Sequence, residues 1–598
     1  MKKTLIYLLL APFFIINSTA QFTQLPNEIR GLRSGSLICS DFDSDGDIDI
    51  LNFGNDIDAK AHSSLYINDN LTFTENKIEV FPVLFEGTIN WADFNNNGKM
   101  DLAIIGWSDD DATVISRILE HDSEFINCNI DLPGISRGAI KWGDFNNDNQ
   151  IDLLIAGQDE NSNSITKLFE NRESEFIDIN IENVKGVSFG DVALADYNSD
   201  GLLDFIITGV TGTVPNTGDP ITELYRNTGD GFELDDSNDF IGLYHSSVEW
   251  GDADNDGDLD LLATGMTKEN SSFTGLYINN ESSFTLAEVS LPNVIEGFAK
   301  WGDFDNDNDL DIMIAGDQIG VDARILKVFR NDNLVFEEVF NADGISQCSG
   351  AWADINNDGY LDFMISGQKN NLDLATFIYI NEFSKKEESS ETTTQLKRMS
   401  NSSNDTPSIP LNLNTTILDS KATLSWDKSI DDNTSSESLS YNISLHKDNK
   451  IIIPSLSNHV GLRSVVRQGN ANLSTSYTTA ILEPGNYSWR VQSLDNSYQA
   501  SAFSEVSSFS IEPTIVSIDK NPNPEDQIKI FPNPFSDKIQ IKNINQQYQY
   551  QLLDLHGKVI LKGSSTKESI TFSNVDQGTY ILTIKFDKQL VRKKVIKL

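Results

Sequence analysis

Aspartate and asparagine recur at fixed spacing in seven short stretches, and the spacing lets their oxygens converge. The stretches are DFDSDGDID (41–49), DFNNNGKMD (93–101), DFNNDNQID (144–152), DYNSDGLLD (196–204), DADNDGDLD (252–260), DFDNDNDLD (303–311) and DINNDGYLD (354–362). Positions 1, 3, 5 and 9 carry Asp or Asn in every copy. They are Asp41, Asp43, Asp45 and Asp49, then Asp93, Asn95, Asn97 and Asp101, then Asp144, Asn146, Asp148 and Asp152. Next come Asp196, Asn198, Asp200 and Asp204, then Asp252, Asp254, Asp256 and Asp260. The last two sets are Asp303, Asp305, Asp307 and Asp311, and Asp354, Asn356, Asp358 and Asp362. Position 6 is Gly or Asn, which accept a left-handed backbone, and position 7 can offer its carbonyl. Hard oxygen ligands in this number suit Ca²⁺, up to seven ions in a structural role, whereas Mg²⁺ wants a stricter octahedron and more water. Without a cation, each neighbouring carboxylate pair repels by about 1–4 kcal/mol. A solvated, metal-free Asx-turn explains one such loop, but not the same four positions in seven copies. The loop is no EF-hand, since its last acid is at position 9 and a strand follows. Loop 93–101 has only two carboxylates, so its site is expected to be the weakest.

Loops of this kind need strands to hold them. The first aspartates lie 52, 51, 52, 56, 51 and 51 residues apart. A period near fifty, with short Val/Ile/Phe/Leu runs and no amphipathic helix pattern, predicts four-stranded propeller blades. In the third copy the strands are GAIKW (138–142), DLLIAG (152–157), TKLFEN (166–171) and one starting at Phe176. The last copy ends at FIYINE (377–382) without a good fourth strand. The segment FTQLPNEIRG, from Phe22, aligns with FTLAEVSLPNVIEG (284–297), so residues 22–25 are expected to supply that strand and cover a bare edge.

On these motifs the repeats resemble the FG-GAP or VCBS-type repeats of integrin α-subunit N-terminal propellers. The resemblance implies an all-β fold with a seven-bladed propeller over residues 21–383. It also implies Ca²⁺ in the loop between the first two strands, and ligands on the opposite face. Asn149 and Asn308 depart from the loop glycine.

Ligand reading belongs where the copies differ. Six residues before each loop stands a small residue: Gly35, Gly87, Gly138, Gly190, Ser246, Gly297 or Cys348. One residue earlier the set is Ser34, Glu86, Arg137, Phe189, His245, Glu296 and Gln347. Small residues are expected to let the strands crowd the axis, with the preceding residue facing the channel mouth. The ligand-face candidates are therefore Glu86, Arg137, His245, Glu296 and Gln347, with the loop GVTGTVPNTGDPI (209–221) as a second contact. Trp91, Trp142, Trp250, Trp301 and Trp352 lie two residues before their loops and fit packing between blades better than sugar stacking.

The remaining chain predicts export. Residues 1–20, MKKTLIYLLLAPFFIINSTA, read as a secretory signal peptide rather than a membrane anchor. No later stretch is apolar enough to span a membrane. Residues 384–406 read as a linker. Residues 407–512, with ATLSWD (422–427) and PGNYSWRVQSLD (484–495), predict a β-sandwich resembling fibronectin type III modules. After a linker (513–527), residues 528–598 resemble the C-terminal sorting domain of the type IX secretion system. The resemblance rests on FPNPFSD, the D-x-x-G-K turn and GTYILTI…KKVIKL. It implies Sec export, passage across the outer membrane, and a secreted or cell-surface protein.

Net charge of −46 argues against nucleic acid and anionic membrane surfaces as partners. Three widely separated cysteines form no disulfide framework. The expected function is adhesion or binding of a glycan or a surface or matrix protein, without catalysis. A polysaccharide lyase or hydrolase using His245, Tyr244, Arg137, Glu86 and Glu296 is the alternative, and a part of a larger surface assembly is a third.

Overall fold

In the computed structural model the described residues are 22–382, 406–512 and 529–598, less some positions within these spans. The expected signal peptide and linker 513–527, almost all of linker 384–406, and residues 213–217 of the long loop lie outside the described residues. Every regular element among the described residues is a strand. The chain divides into two compact units, Met1–Ile511 and Glu512–Leu598.

Within the first unit each repeat pairs as an antiparallel meander. In the third copy the strands are Ile135–Gly143, Asp152–Asp159, Ser164–Arg172 and Glu175–Asp178. In the fourth the opening strand is broken into Val187–Ser188 and Val192–Ala195. In the last copy Ile345–Ala353, Asp362–Lys369 and Leu374–Asn381 are completed by Phe22–Leu25, with Phe22 opposite Asn381 and Leu25 opposite Ile378. The opening strands of consecutive repeats touch one another, and that of the last repeat touches Arg33–Ser40 of the first.

Aromatic packing fills the gaps between repeats. Trp142 stacks on Phe94, Trp250 on Tyr197 and Trp352 on Phe304, each on position 2 of the preceding loop, at 5.8, 6.3 and 6.4 Å. Phe22 sits among Phe304, Phe340, Trp352 and Phe363 with centroids 5.0–6.2 Å away. Burying one such side chain contributes about 1.5–3 kcal/mol.

A second fastening is polar. Asn68, Asn171, Asn227, Asn279, Asn331 and Asn381 end the third strands and are almost fully buried. The amide nitrogen of each donates to a carbonyl of the preceding repeat: Ile355, Phe94, Phe145, Tyr197, Ala253 and Phe304 in turn. The Asn68 bond reaches from the first repeat to the last. In the second repeat His121 takes the place of the asparagine and stacks on Phe42 at 4.9 Å.

Residues 406–511 form two sheets. One holds Asn414–Leu418, Lys421–Ser425 and Ser476–Thr478; the other Lys450–Ile453, Ser440–Lys447, Gly485–Leu494 and Ser507–Ile511. Trp426, Tyr441 and Trp489 fill the space between them. The Trp489 ring nitrogen is satisfied by Thr415 Oγ1 at 2.9 Å. The second unit also has two sheets, of three and four strands, around Phe535, Tyr548, Leu582 and Val595.

Candidate functional site

The acidic loops share one backbone scheme. In all seven copies the N–H of position 5 donates to Oδ1 of position 1 at 2.9–3.2 Å. The N–H of position 7 donates to Oδ1 of position 5 at 2.8–3.1 Å. These Asx-turns curl the loop so that the side chains meet. The left-handed turn expected at position 6 is present at Gly46, Gly201 and Gly359. Position 4 is left-handed as well, at Asn147, Asn255, Asn306 and Asn357. Their amides reach the next loop, to Gly201 O, Asp309 Oδ1, Gly359 O and Gly46 O.

Position 9 has a further role. Asp49, Asp101, Asp152, Asp204, Asp260, Asp311 and Asp362 are at most 2 % exposed. One oxygen of each accepts the N–H of the third-strand Asn, or of His121, at 2.6–2.9 Å. In six copies the other oxygen accepts the N–H of position 2. This acid therefore ties the loop to the sheet, besides facing the cluster.

Carboxylate oxygens come within 4.8 Å of one another in three trios: Asp41, Asp43 and Asp45; Asp252, Asp254 and Asp260; Asp303, Asp305 and Asp311. These are the loops with a carboxylate at all four of positions 1, 3, 5 and 9. Burial, and then the neighbouring acids, push Asp49, Asp204 and Asp260 up to about 8 and Asp305 to about 6. Oδ1 of Asp305 is buried with no hydrogen-bond partner. An all-oxygen donor set, mutual repulsion and an orphaned oxygen fit a hard metal ion, which these clusters could hold. In loop 93–101 the amides of Asn95 and Asn97 are turned to Glu120 Oε1 and His121 O, and only two carboxylates remain.

The other end of the opening strands carries the variable residues. Ser34, Glu86, Arg137, Phe189, His245, Glu296 and Gln347 all have φ between 44° and 54°. None is glycine, and each sits at a register shift or strand break. A β-bulge turns the side chain out of the pleat at this point. The small residues that follow have a reason within each repeat. A Cβ on Gly35, Gly87, Gly138, Gly190 or Gly297 would lie 1.8–2.0 Å from a carbonyl oxygen of the adjacent strand in the same repeat. The bulge favours a small residue, glycine in five copies and Ser246 or Cys348 in the other two.

Part of this ring is linked from repeat to repeat. Arg137 Nε donates to Glu86 Oε2 at 2.7 Å and its Nη1 to Gln158 Oε1 at 2.9 Å. The guanidinium lies 5.1 Å from the Phe189 ring, which lies 5.0 Å from His245. Backbone N–H groups of Phe189 and His245 donate to the carbonyls of Arg137 and Phe189, both at 2.6 Å. Burial lowers the pKa of His245, with Glu296 opposing and Arg137 reinforcing. Gln347 Oε1 is buried without a partner, near Asn52, Ser349 and Ser366.

Two family models match the chain. Residues 196–263 match the FG-GAP-like repeat, and residues 529–598 match the secretion system C-terminal sorting domain. The sorting domain makes this a secreted or outer-surface protein, and implies interaction with the type IX secretion machinery. No helix among the described residues is long and apolar enough to cross a membrane. No curated protein matches the chain. Solved structures similar to it include the six-bladed β-propeller fucose-binding lectin of Aleuria aurantia, at 10 % identity and TM-score 0.32, covering 50 % of this chain and 94 % of that one. The β-propeller domain of the Trilobed protease from Pyrococcus furiosus aligns at 14 % identity and TM-score 0.33, over 57 % and 95 %. The Vibrio cholerae biofilm matrix protein Bap1 aligns at 11 % identity and TM-score 0.28, over 94 % and 87 %.

Proposed function

We propose that residues 22–382 form a closed seven-bladed β-propeller, stabilised by Ca²⁺ in its acidic loops, that binds an extracellular glycan or a surface or matrix protein. Residues 407–512 serve as a fibronectin type III-like spacer, and the sorting domain delivers the whole through the type IX system. The observation that carries the reading is the ring of seven left-handed, non-glycine residues. Such conformations cost of order 1 kcal/mol or more each and persist where the surroundings impose them. Here one scaffold holds six kinds of side chain at seven equivalent positions at one end of the strands, about 20 Å from the acidic loops at 3.3 Å per residue. A uniform frame with a varied polar rim is suited to recognition.

Glycan and matrix-protein arrays probed with the secreted chain, in calcium and in chelator, test this. Binding is expected in calcium, lost on Arg137→Ala and weakened by chelation. Arrays that stay blank in calcium, or binding indifferent to every ring substitution, overturn the ligand face. A half-buried imidazole whose pKa is lowered by burial, with the charges of Glu296 and Glu86 acting on it, also favours a second reading, general-base chemistry on a polysaccharide. Turnover abolished by His245→Ala would install it instead.

A further inference from the structure

The region after the repeats rests on the acidic loops. Tyr477, 7 % exposed, places its hydroxyl 3.3 Å from Oδ2 of Asp252, the first residue of loop 252–260. Leu473 belongs to the same apolar cluster as Phe304 and Leu361, which lie within loops 303–311 and 354–362. Ser438, 2 % exposed, lies beside the Asp354 carboxyl, and its hydroxyl makes no hydrogen bond of normal length. Three contacts from one region thus fall on three consecutive loops. Position 5 is exposed in loops 93–101, 144–152, 196–204, 252–260 and 303–311 and half-buried at Asp358, so the seat touches the edges of the loops and not this position.

Covering a carboxylate cluster removes water that would otherwise stabilise it. A buried phenol supplies one hydrogen bond, not a compensating charge. A cation in the loop supplies that charge, and leaves Asp252 Oδ2 a lone pair for the Tyr477 hydroxyl, which then orients the ligand from outside. We propose that loops 252–260, 303–311 and 354–362 form a cation-dependent seat for residues 407–511, with Tyr477 as the positioning residue. This rests on the calcium reading above. Because the seat needs the ion and the ion is steadied by the seat, the coupling works in both directions.

Hydrogen exchange on the full mature chain, in calcium and in chelator, reads the first direction. Exchange of the segment holding Leu473 and Tyr477 is expected to rise at least several-fold in chelator. A calcium titration of Tyr477→Phe reads the second. One class of sites is expected to weaken about tenfold, while the sites of loops 93–101, 144–152 and 196–204 are unmoved. Phe keeps the packing, so folding is preserved. If calcium binds and stabilises the repeats but exchange at 473–478 is the same with and without it, the seat is overturned and the calcium reading stands. An unchanged Tyr477→Phe titration likewise overturns it. A chain that binds no calcium fails at the earlier step and takes both readings with it.

Discussion

Asn279 makes one amide serve two repeats. Its nitrogen donates to Leu259 O in its own repeat and to Tyr197 O in the one before, at 3.1 and 3.0 Å. Asn279→Ala leaves buried carbonyls without donors, and a loss of about 2–4 kcal/mol in denaturant unfolding is expected. The asparagines were in plain view in the sequence, closing TKLFEN and FIYINE. A lone Asn at a strand end reads as turn punctuation, and its partner carbonyl is about 80 residues away, so the clamp was not legible. The bulge residues were located but not their backbone state, because Glu, Arg, Phe and His carry no preference for positive φ. What marks the bulge is the glycine after it, together with the glycine of the IAG-type strand opposite. At the same scale, loop 93–101 holds Asn95 and Asn97 where loop 41–49 holds Asp43 and Asp45. Calcium titration followed by NMR is expected to fill loop 93–101 last.

The loops act together as an element of charge. In the metal-free chain burial, and then neighbouring acids, raise position 9 from an ordinary 3.8 to about 8 at Asp49, Asp101, Asp204 and Asp260. The folded state then holds more protons than the unfolded state between about pH 4 and 8, so stability is greatest at the acid end of that window and is lost as pH rises through it. Melting temperature in chelator is expected to fall from pH 5 to pH 8 and to stay level in calcium. Calcium binding near pH 7 is also expected to release protons, measurable by calorimetry in buffers of different ionisation enthalpy. The strands that carry these loops were the most legible part of the chain. Their period survives because every copy must present the same edge to its neighbours. The fourth opening strand, broken between Ser188 and Val192, was not foreseen. Nor was the seating of Tyr477 on Asp252, since nothing local in the sequence joins two segments 225 residues apart.

For the whole molecule, the first and last repeats are joined by one short pairing, backed by packing and by bonds across the seam. Asn68 reaches Ile355, Asn357 reaches Gly46, and Phe22 fills an aromatic nest. Deleting residues 22–25 bares the edge of Leu374–Asn381 and removes Phe22, so concentration-dependent aggregation is expected in light scattering. Deleting residues 529–598 is expected to leave the protein inside the cell envelope, read by fractionation. The seam also has a mechanical consequence. If the protein is tethered through its C-terminal side while a ligand holds the ring, tension enters along Leu374–Asn381. That strand is flanked by Asp362–Lys369 on one side and Phe22–Leu25 on the other. Pulling it lengthwise loads both rows of hydrogen bonds in shear, so they must slip together instead of unzipping one by one, and the joint between the first and last repeats is also the one built to carry strain.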